Sequence, residues 1–336
     1  MKPIKESILS VVGNTPLVEL TRVFRHLPLR FFAKLEQFNP GGSTKDRPAL
    51  HIIERGLENG EIGPGTVVVE SSSGNMGIGL AQVCSYHRLR FICVVDPKTT
   101  TQNINLLKAY NAEVEMVEVP DRETGEYLPA RIKRVQELMR IYPDSYWPNQ
   151  YANEHNSGAH HRTMHEISTA LNGGPDYLFC ATSTCGTLRG CAEYRNEHCP
   201  KTRIIAVDAV GSVIFGGKKA KRLIPGHGAA MSPALYRDGL VHDSILVPDI
   251  DCVVGCHRLV DEEALLAGGS SGAIISAIER YAPNLFPGAV CAAILPDRGE
   301  RYLDTIFNDE WIKEHFGDIE HLWKIPMGGI TCPTAI

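Results

Sequence analysis

The chain has 336 residues and a formal net charge of −5, from 34 Lys and Arg against 39 Asp and Glu. At about 150 residues per domain, this length predicts two domains whose cores are large enough to fold without disulfides. With 43% hydrophobic and 22% charged residues, the composition excludes a disordered, collagen-like or coiled-coil chain. The acidic balance provides no global basic field, so we expect neither nucleic acid nor an anionic membrane as a partner.

Two further features bear on where the protein works. Residues 1–10 lack the apolar stretch of a secretion signal, and no run approaches the ~18 apolar residues of a spanning helix. The ten cysteines are scattered through apolar runs without a CxxC pair, which is typical of reduced core residues. We therefore expect a cytoplasmic protein.

Short β-branched runs alternate with helical patterns along most of the chain, which indicates a mostly parallel sheet covered by helices. The predicted strands are, in chain order, residues 31–35, 66–70, 91–96, 113–117, 177–180, 204–207 and 291–295. Helical periodicity follows two of them, over 77–84 and 188–196. These patterns predict an α/β fold with two domains, residues 1–148 and 149–336, divided after the stretch Tyr142–Pro148.

Three loops after predicted strands are rich in Ser, Thr, Gly and Asn, and such loops bind ligands in open α/β sheets. The first is Asn39–Arg47, in which Ser43 or Thr44 could cap a helix that starts at Asp46. Taken alone, this loop is a capped turn with a surface lysine. Alternatively, the helix start and Arg47 lower the pKa of Lys45 and favour Schiff-base chemistry.

The second loop, Glu70–Gly77, has small residues that let backbone donors approach a ligand, and Asn75 offers a donor and an acceptor. Taken alone, it is a strand-to-helix turn with a serine cap. The third loop, Ser183–Thr187, places hydroxyls and consecutive N–H groups at a helix N-terminus. It has more donors than a cap requires, which favours a phosphate site. The glycine spacing after Gly74 is not that of a dinucleotide-binding turn, which excludes a nicotinamide cofactor.

Five motifs occur in a fixed order in this chain: NPGGSTKDR, SSGNMG, STCGT, GGSSGA and LPDRGERY, preceded by GNTPL at residues 13–17. Together they span residues ~10 to ~305 and resemble the cysteine synthases. The resemblance implies a fold-type-II pyridoxal-phosphate enzyme with two three-layer α/β domains. Their sheets would be twisted and mostly parallel, as in the tryptophan synthase β-like fold, and early residues would cross into the C-terminal sheet.

The resemblance also implies roles for single residues. Lys45 would bind pyridoxal 5'-phosphate covalently and act as the base, and Asn75 would bond the phenolic oxygen of the cofactor. Ser183, Thr184, Cys185, Gly186 and Thr187 would grip its phosphate. Ser270 would face the pyridine nitrogen, which favours β-replacement over transamination. The substrate side would comprise Ser72, Ser73, Met76, Arg131, Gln150, Tyr151 and Ser183, with Ser72, Ser73 and Gln150 at the carboxylate.

The chain departs from the cysteine synthase pattern at three positions. The usual Gly-Thr-Gly-Gly-Thr loop has Ser183 and Cys185, and the usual Gln-Phe reads Gln150-Tyr151. With the segments 121–131 and 149–153, these residues resemble the enzymes that join O-phosphoserine to glutamate for 2,3-diaminopropionate in siderophore and antibiotic pathways. We expect this reaction, in a homodimer. Alternatives are cysteine synthase, cystathionine β-synthase and an idle family member with a regulatory role.

Other features have ordinary explanations. His155, His160, His161 and His165 could line one helical face, but no fourth ligand for Zn²⁺ is evident nearby, and we expect no metal. The basic run 216–222 is expected to be a solvated loop, with a lid over an anionic substrate as the alternative. Arg131, named above on the substrate side, could equally be a residue of the helix surface without a role in binding.

Overall fold

The computed structural model describes residues 4–324. Its strands, in chain order, are β1 (Leu17–Glu19), β2 (Leu29–Leu35), β3 (Val67–Ser71), β4 (Arg90–Val95), β5 (Glu113–Met116), β6 (Ser145–Tyr146), β7 (Tyr177–Ala181), β8 (Arg203–Ala209), β9 (Asp243–Val247) and β10 (Ala289–Leu295). Its helices are α1 (Asp46–Glu58), α2 (Asn75–His87), α3 (Thr101–Ala109), α4 (Tyr127–Ile141), α5 (Glu154–Gly158), α6 (His161–Ala170), α7 (Gly186–His198), α8 (Asp249–Glu263), α9 (Gly269–Tyr281) and α10 (Asp309–Phe316). All seven predicted strands are present, and β1, β6 and β9 are additional.

The strands form two sheets. The larger has the order β1-β2-β10-β7-β8-β9, with only β1 antiparallel to its neighbour, and the smaller has the parallel order β5-β4-β3-β6. Each sheet is buried on both faces, so adjacent strand residues enter different cores. In β7, Phe179 packs with α8 and α9, whereas Leu178 packs with α6 and α7. The predicted α/β class with mostly parallel sheets is confirmed.

The small sheet follows the same rule. Val68 of β3 packs with α1, α2 and α3, whereas Val69 packs against α4. The proposed boundary after residue 148 lies between β6 and α5, while β1 and β2 belong to the large sheet.

Nine cysteines of the described chain are buried free thiols, and Cys332 lies outside the described residues. Within residues 4–324, no helix has both the length and the apolar composition needed to cross a bilayer.

Candidate active site

Four loops meet at the carboxyl ends of β2, β3, β7 and β10, where parallel α/β sheets bind ligands. The Lys45 loop is joined to the loop after β10 by a bridge between Ser43 and Asp297 and by the Thr44 N–H, which donates to the Pro296 carbonyl at 2.7 Å. Residues more than 200 positions apart in the chain are thereby held side by side.

Lys45 lies directly before α1, as predicted, and its amine makes no hydrogen bond or ion pair within the described residues. Burial lowers the pKa of this amine, while the nearby Asp297 carboxyl opposes the shift. The expected influence of Arg47 is wrong, because its guanidinium is directed at the carboxylates of Glu36 and Glu166. Desolvation is therefore what favours the neutral, reactive amine. The predicted side-chain cap is also absent, since neither Ser43 nor Thr44 caps α1.

Asn75 is the first residue of α2 and is held on both sides of its amide. Its Nδ2 donates to Asp297 Oδ2 at 2.7 Å, and its Oδ1 accepts from Arg301. The Tyr302 hydroxyl donates to the same Asp297 oxygen at 2.6 Å. Asp297 is fully buried and burial raises its pKa. Asp297 and Tyr302 belong to the motif LPDRGERY, but the sequence alone predicts no role for either residue.

The loop Ser183–Thr187 joins β7 to α7. Cys185 has a left-handed backbone (φ +63°) and Gly186 begins the helix. A Cβ on Gly186 would lie 2.2 Å from Asn156 Oδ1, so glycine is required there. Helix N-termini leave N–H groups without intrahelical partners. This loop therefore has the geometry of an anion site.

His160 supports that loop from behind, a role that differs from the metal-ligand role weighed for it in the sequence. Its Nε2 lies 3.2 Å from Thr187 Oγ1 and its Nδ1 lies 3.1 Å from Thr163 Oγ1. Burial lowers its pKa well below the usual value, and the nearby Arg47 guanidinium acts in the same direction. The ring is therefore neutral, with one nitrogen donating and the other accepting.

Within the described residues, no group of three His, Cys, Asp or Glu side chains is arranged to hold a metal.

The loop after β3 forms another wall. Ser72 Oγ accepts from the Gly77 N–H at 2.9 Å, and so caps α2 while keeping its own hydrogen to donate. Ser73 is half-buried beside it. The Met76 side chain is directed into the core with α1, which leaves only its backbone for the predicted substrate contact. The Gln150 side chain is buried and donates to the Ser71 carbonyl at 3.1 Å.

Arg131 is buried on α4, not on the helix surface. Its Nε lies 3.2 Å from Asp96 Oδ2, yet Nε and Nη1 have no hydrogen-bond partner among the described residues. The half-buried Tyr151 lies close to it, and burial raises the pKa of the Tyr151 phenol to about 12. Unpaired buried guanidinium N–H groups are costly unless an anion completes them.

These side chains fit pyridoxal phosphate. The unpaired Lys45 amine suits its carbonyl group, the start of α7 suits its phosphate, and Asn75 keeps one amide hydrogen for a ring oxygen. Ser270 lies in the first turn of α9 and is nearly buried, as a partner for the ring nitrogen requires. The buried hydroxyl of Thr44, next to the lysine, also has no partner among the described residues.

Comparison with known proteins agrees with this fit. A family model described as "Pyridoxal-phosphate dependent enzyme" matches residues 8–297. The chain is 46% identical over 310 residues to N-(2-amino-2-carboxyethyl)-L-glutamate synthase of Ralstonia nicotianae, covering 92% of this chain and 91% of that protein.

Two solved structures extend the likeness to the fold. A cysteine synthase of Entamoeba histolytica is 33% identical, with a TM-score of 0.84 over 90% of each chain. An O-acetylserine dependent cystathionine beta-synthase from Helicobacter pylori is 31% identical, with a TM-score of 0.83 over 90% of this chain and 98% of that one.

Proposed function

The chain belongs to the family of pyridoxal-phosphate-dependent enzymes, with the fold of the cysteine synthases, and from this membership we propose that it joins O-phospho-L-serine to L-glutamate. The products are N-(2-amino-2-carboxyethyl)-L-glutamate and phosphate. The bond between the β-carbon of serine and the phosphate oxygen breaks, and the amine nitrogen of glutamate takes its place after losing a proton. The enzyme is thus a transferase that acts by β-substitution.

The cofactor would be held by the residues that face it. We propose Lys45 as the covalent anchor, residues 183–187 as the phosphate site, Asn75 at the phenolic oxygen and Ser270 at the pyridine nitrogen. When bound, pyridoxal phosphate draws electrons from the α-carbon of an attached amino acid. The Lys45 amine, kept neutral by burial, takes the α-proton at Nζ and later returns it.

The choice of O-phosphoserine as the donor substrate rests on Arg131. Its buried guanidinium has two N–H positions without a partner in the described chain, which suits a phosphate better than an acetyl group. Tyr151 and Ser183 each add a hydroxyl at the substrate side, where the cysteine synthase pattern has Phe and Gly. Ser72, Ser73 and Gln150 would orient the carboxylate of the amino acid. These buried N–H groups, which have no hydrogen-bond partner among the described residues although Asp96 lies 3.2 Å from Nε, are the observation that carries the choice of phosphoserine.

The finer biological setting belongs to the same proposal. The product is a precursor of 2,3-diaminopropionate, so we propose a role in siderophore or antibiotic biosynthesis in the cytoplasm. We propose a homodimer, as the resemblance to cysteine synthases implies. Light scattering of the purified protein measures that assembly directly.

The test compares two substrate pairs in the cofactor-loaded enzyme. Phosphoserine with glutamate is expected to give the joined product by mass spectrometry and stoichiometric phosphate. O-acetylserine with sulfide is expected to give little cysteine. Faster cysteine formation, or cystathionine from homocysteine, would contradict the proposal and favour the chemistry of the structural neighbours.

A variant pair on α4 isolates the donor contact. Arg131→Ala is expected to raise the KM for phosphoserine by roughly 10- to 100-fold, because a charge-assisted contact is lost. Arg134→Ala is the matched control, since this partly exposed arginine of the same helix pairs with Glu137 of α4 and with Glu115 of β5. Equal effects of the two variants would show that Arg131 does not contact the donor.

A further inference from the structure

Glu70 is a fully buried carboxylate at the end of β3 to which the reaction above assigns no part. Its Oε1 accepts from the Ser71 N–H at 2.8 Å and from Trp147 Nε1 at 3.2 Å. Its Oε2 accepts from the Gln150 N–H at 3.1 Å. Three N–H donors from two separate segments therefore converge on one side chain.

These bonds join the two walls of the substrate site. Glu70 and Ser71 lead into the Ser72–Ser73 loop, while Gln150 leads into Tyr151. Gln150 also donates from Nε2 to the Ser71 carbonyl at 3.1 Å, so the two walls are joined twice. The residue before Gln150 is Asn149, whose left-handed backbone (φ +47°) forms a tight turn. Holding that turn in advance lowers the ordering cost when a substrate binds.

Burial raises the pKa of the Glu70 carboxyl to about 7, while its three N–H donors and the Arg131 guanidinium lower it. The ion-pair partner of Arg131 is Asp96, whose Oδ2 lies 3.2 Å from Nε. The Asp96 carboxylate therefore compensates the buried guanidinium and leaves N–H groups of Arg131 for a ligand.

We propose that Glu70 is a positioning residue for the donor amino acid, because it fixes the Gln150–Tyr151 turn against the Ser72–Ser73 loop. This inference rests on the proposed function, since it treats phosphoserine as the donor. Glu70 itself does not touch the substrate. Its effect is on the binding of the donor rather than on the loading of the cofactor.

The experiment titrates the cofactor-loaded enzyme with phosphoserine and follows the visible absorption of the bound cofactor. Glu70→Gln turns one acceptor into a donor that faces the N–H of Gln150 or Trp147. We expect the Kd for phosphoserine to rise roughly 10- to 100-fold, with cofactor content and the absorption of the resting enzyme unchanged. If Glu70→Gln fails to load cofactor, Glu70→Asp keeps the charge but withdraws it from Gln150, and the same rise is expected.

Trp147→Phe is the matched control, because it removes a hydrogen bond to the same carboxylate without touching Gln150. Its Kd is expected to stay within about threefold of the wild type. A Kd within about twofold for Glu70→Gln, or an equal rise in Trp147→Phe, would overturn the positioning role. A wild-type enzyme that does not respond to phosphoserine would instead overturn the proposed function, so the two failures are distinguishable.

Discussion

A buried cluster of charges behind the Lys45 loop offers a sharp test of the packing between the two sheets. Glu166 of α6 is only 9% exposed and accepts from Arg47 Nη1 and Nη2 at 2.9 and 2.7 Å. It also pairs with Lys34 Nζ at 2.6 Å, and Lys34 is 2% exposed. Glu36 provides the other buried carboxylate. Glu166→Gln therefore leaves two buried cations with one buried anion.

Two independent estimates give the size of the effect. The Arg47 and Lys34 cations outweigh burial and lower the pKa of Glu166 from 4.5 to about 2, which corresponds to roughly 3 kcal/mol of stability at neutral pH. Breaking a buried ion pair by removing one partner costs about 3–5 kcal/mol. We therefore expect Glu166→Gln to lower the free energy of unfolding by about 3 kcal/mol at pH 7.

The pH dependence separates this effect from general damage. Because the folded pKa is depressed, the contribution of Glu166 is complete above about pH 5 and is lost as the pH falls towards 2. Urea titrations followed by tryptophan fluorescence should show the variant and the wild type converging as the pH falls from 5 towards 2. Glu113→Gln is the control, since its pair with Arg90 is about half exposed and should contribute under 1 kcal/mol. A Glu166→Gln deficit below 1 kcal/mol, or one that stays constant with pH, would refute the reasoning.

Three further predictions concern the cofactor and substrate contacts. Borohydride reduction and peptide mass spectrometry should label Lys45 alone, and Lys45→Ala should still bind the cofactor through residues 183–187 without turnover; a label elsewhere would exclude this anchor. Tyr151→Phe and Ser183→Gly should keep the cofactor spectrum but lose ~1–3 kcal/mol each in kcat/KM with phosphoserine. An equal loss with O-acetylserine would assign the hydroxyls to the common chemistry. Gly186→Ala should weaken cofactor retention on dialysis, because its Cβ would lie 2.2 Å from Asn156 Oδ1; unchanged retention would show that the loop can shift.

The sequence predicted the parts of the fold that have a local cause. Strands such as β3 and β7 are short apolar runs buried on both faces, and their helices begin at the glycine-bearing loops that follow. The strands β1 and β6 have only three and two residues, too few to show a period. Each of them forms by pairing with the edge of a longer strand, β1 with β2 and β6 with β3. The local sequence pattern carries no information about that pairing.

The partners within the site show the same limit. The motifs predict the positions of Lys45 and Asn75. The carboxylate that orients the Asn75 amide belongs to Asp297, which lies 222 residues away in the chain. Arg47 was expected to act on Lys45, but two acidic side chains from β2's end and α6 neutralise it. A residue type and its spacing therefore predict a chemical group, while its charge environment depends on which distant elements pack against it.

The placement of β2 has a consequence for synthesis on the ribosome. Its parallel neighbour is β10, with Phe32 opposite Ala292, so roughly 250 residues must be added before this pairing can form. At 5–20 residues per second this takes about 10–50 s. The small sheet, built from residues 67–146, emerges whole in the meantime and can fold first. Until β10 is synthesised, one edge of β2 is open to pairing with strands of other nascent chains. The charged residues Arg30 and Lys34 of β2 discourage such pairing. In the folded protein, Lys34 is then buried against Glu166.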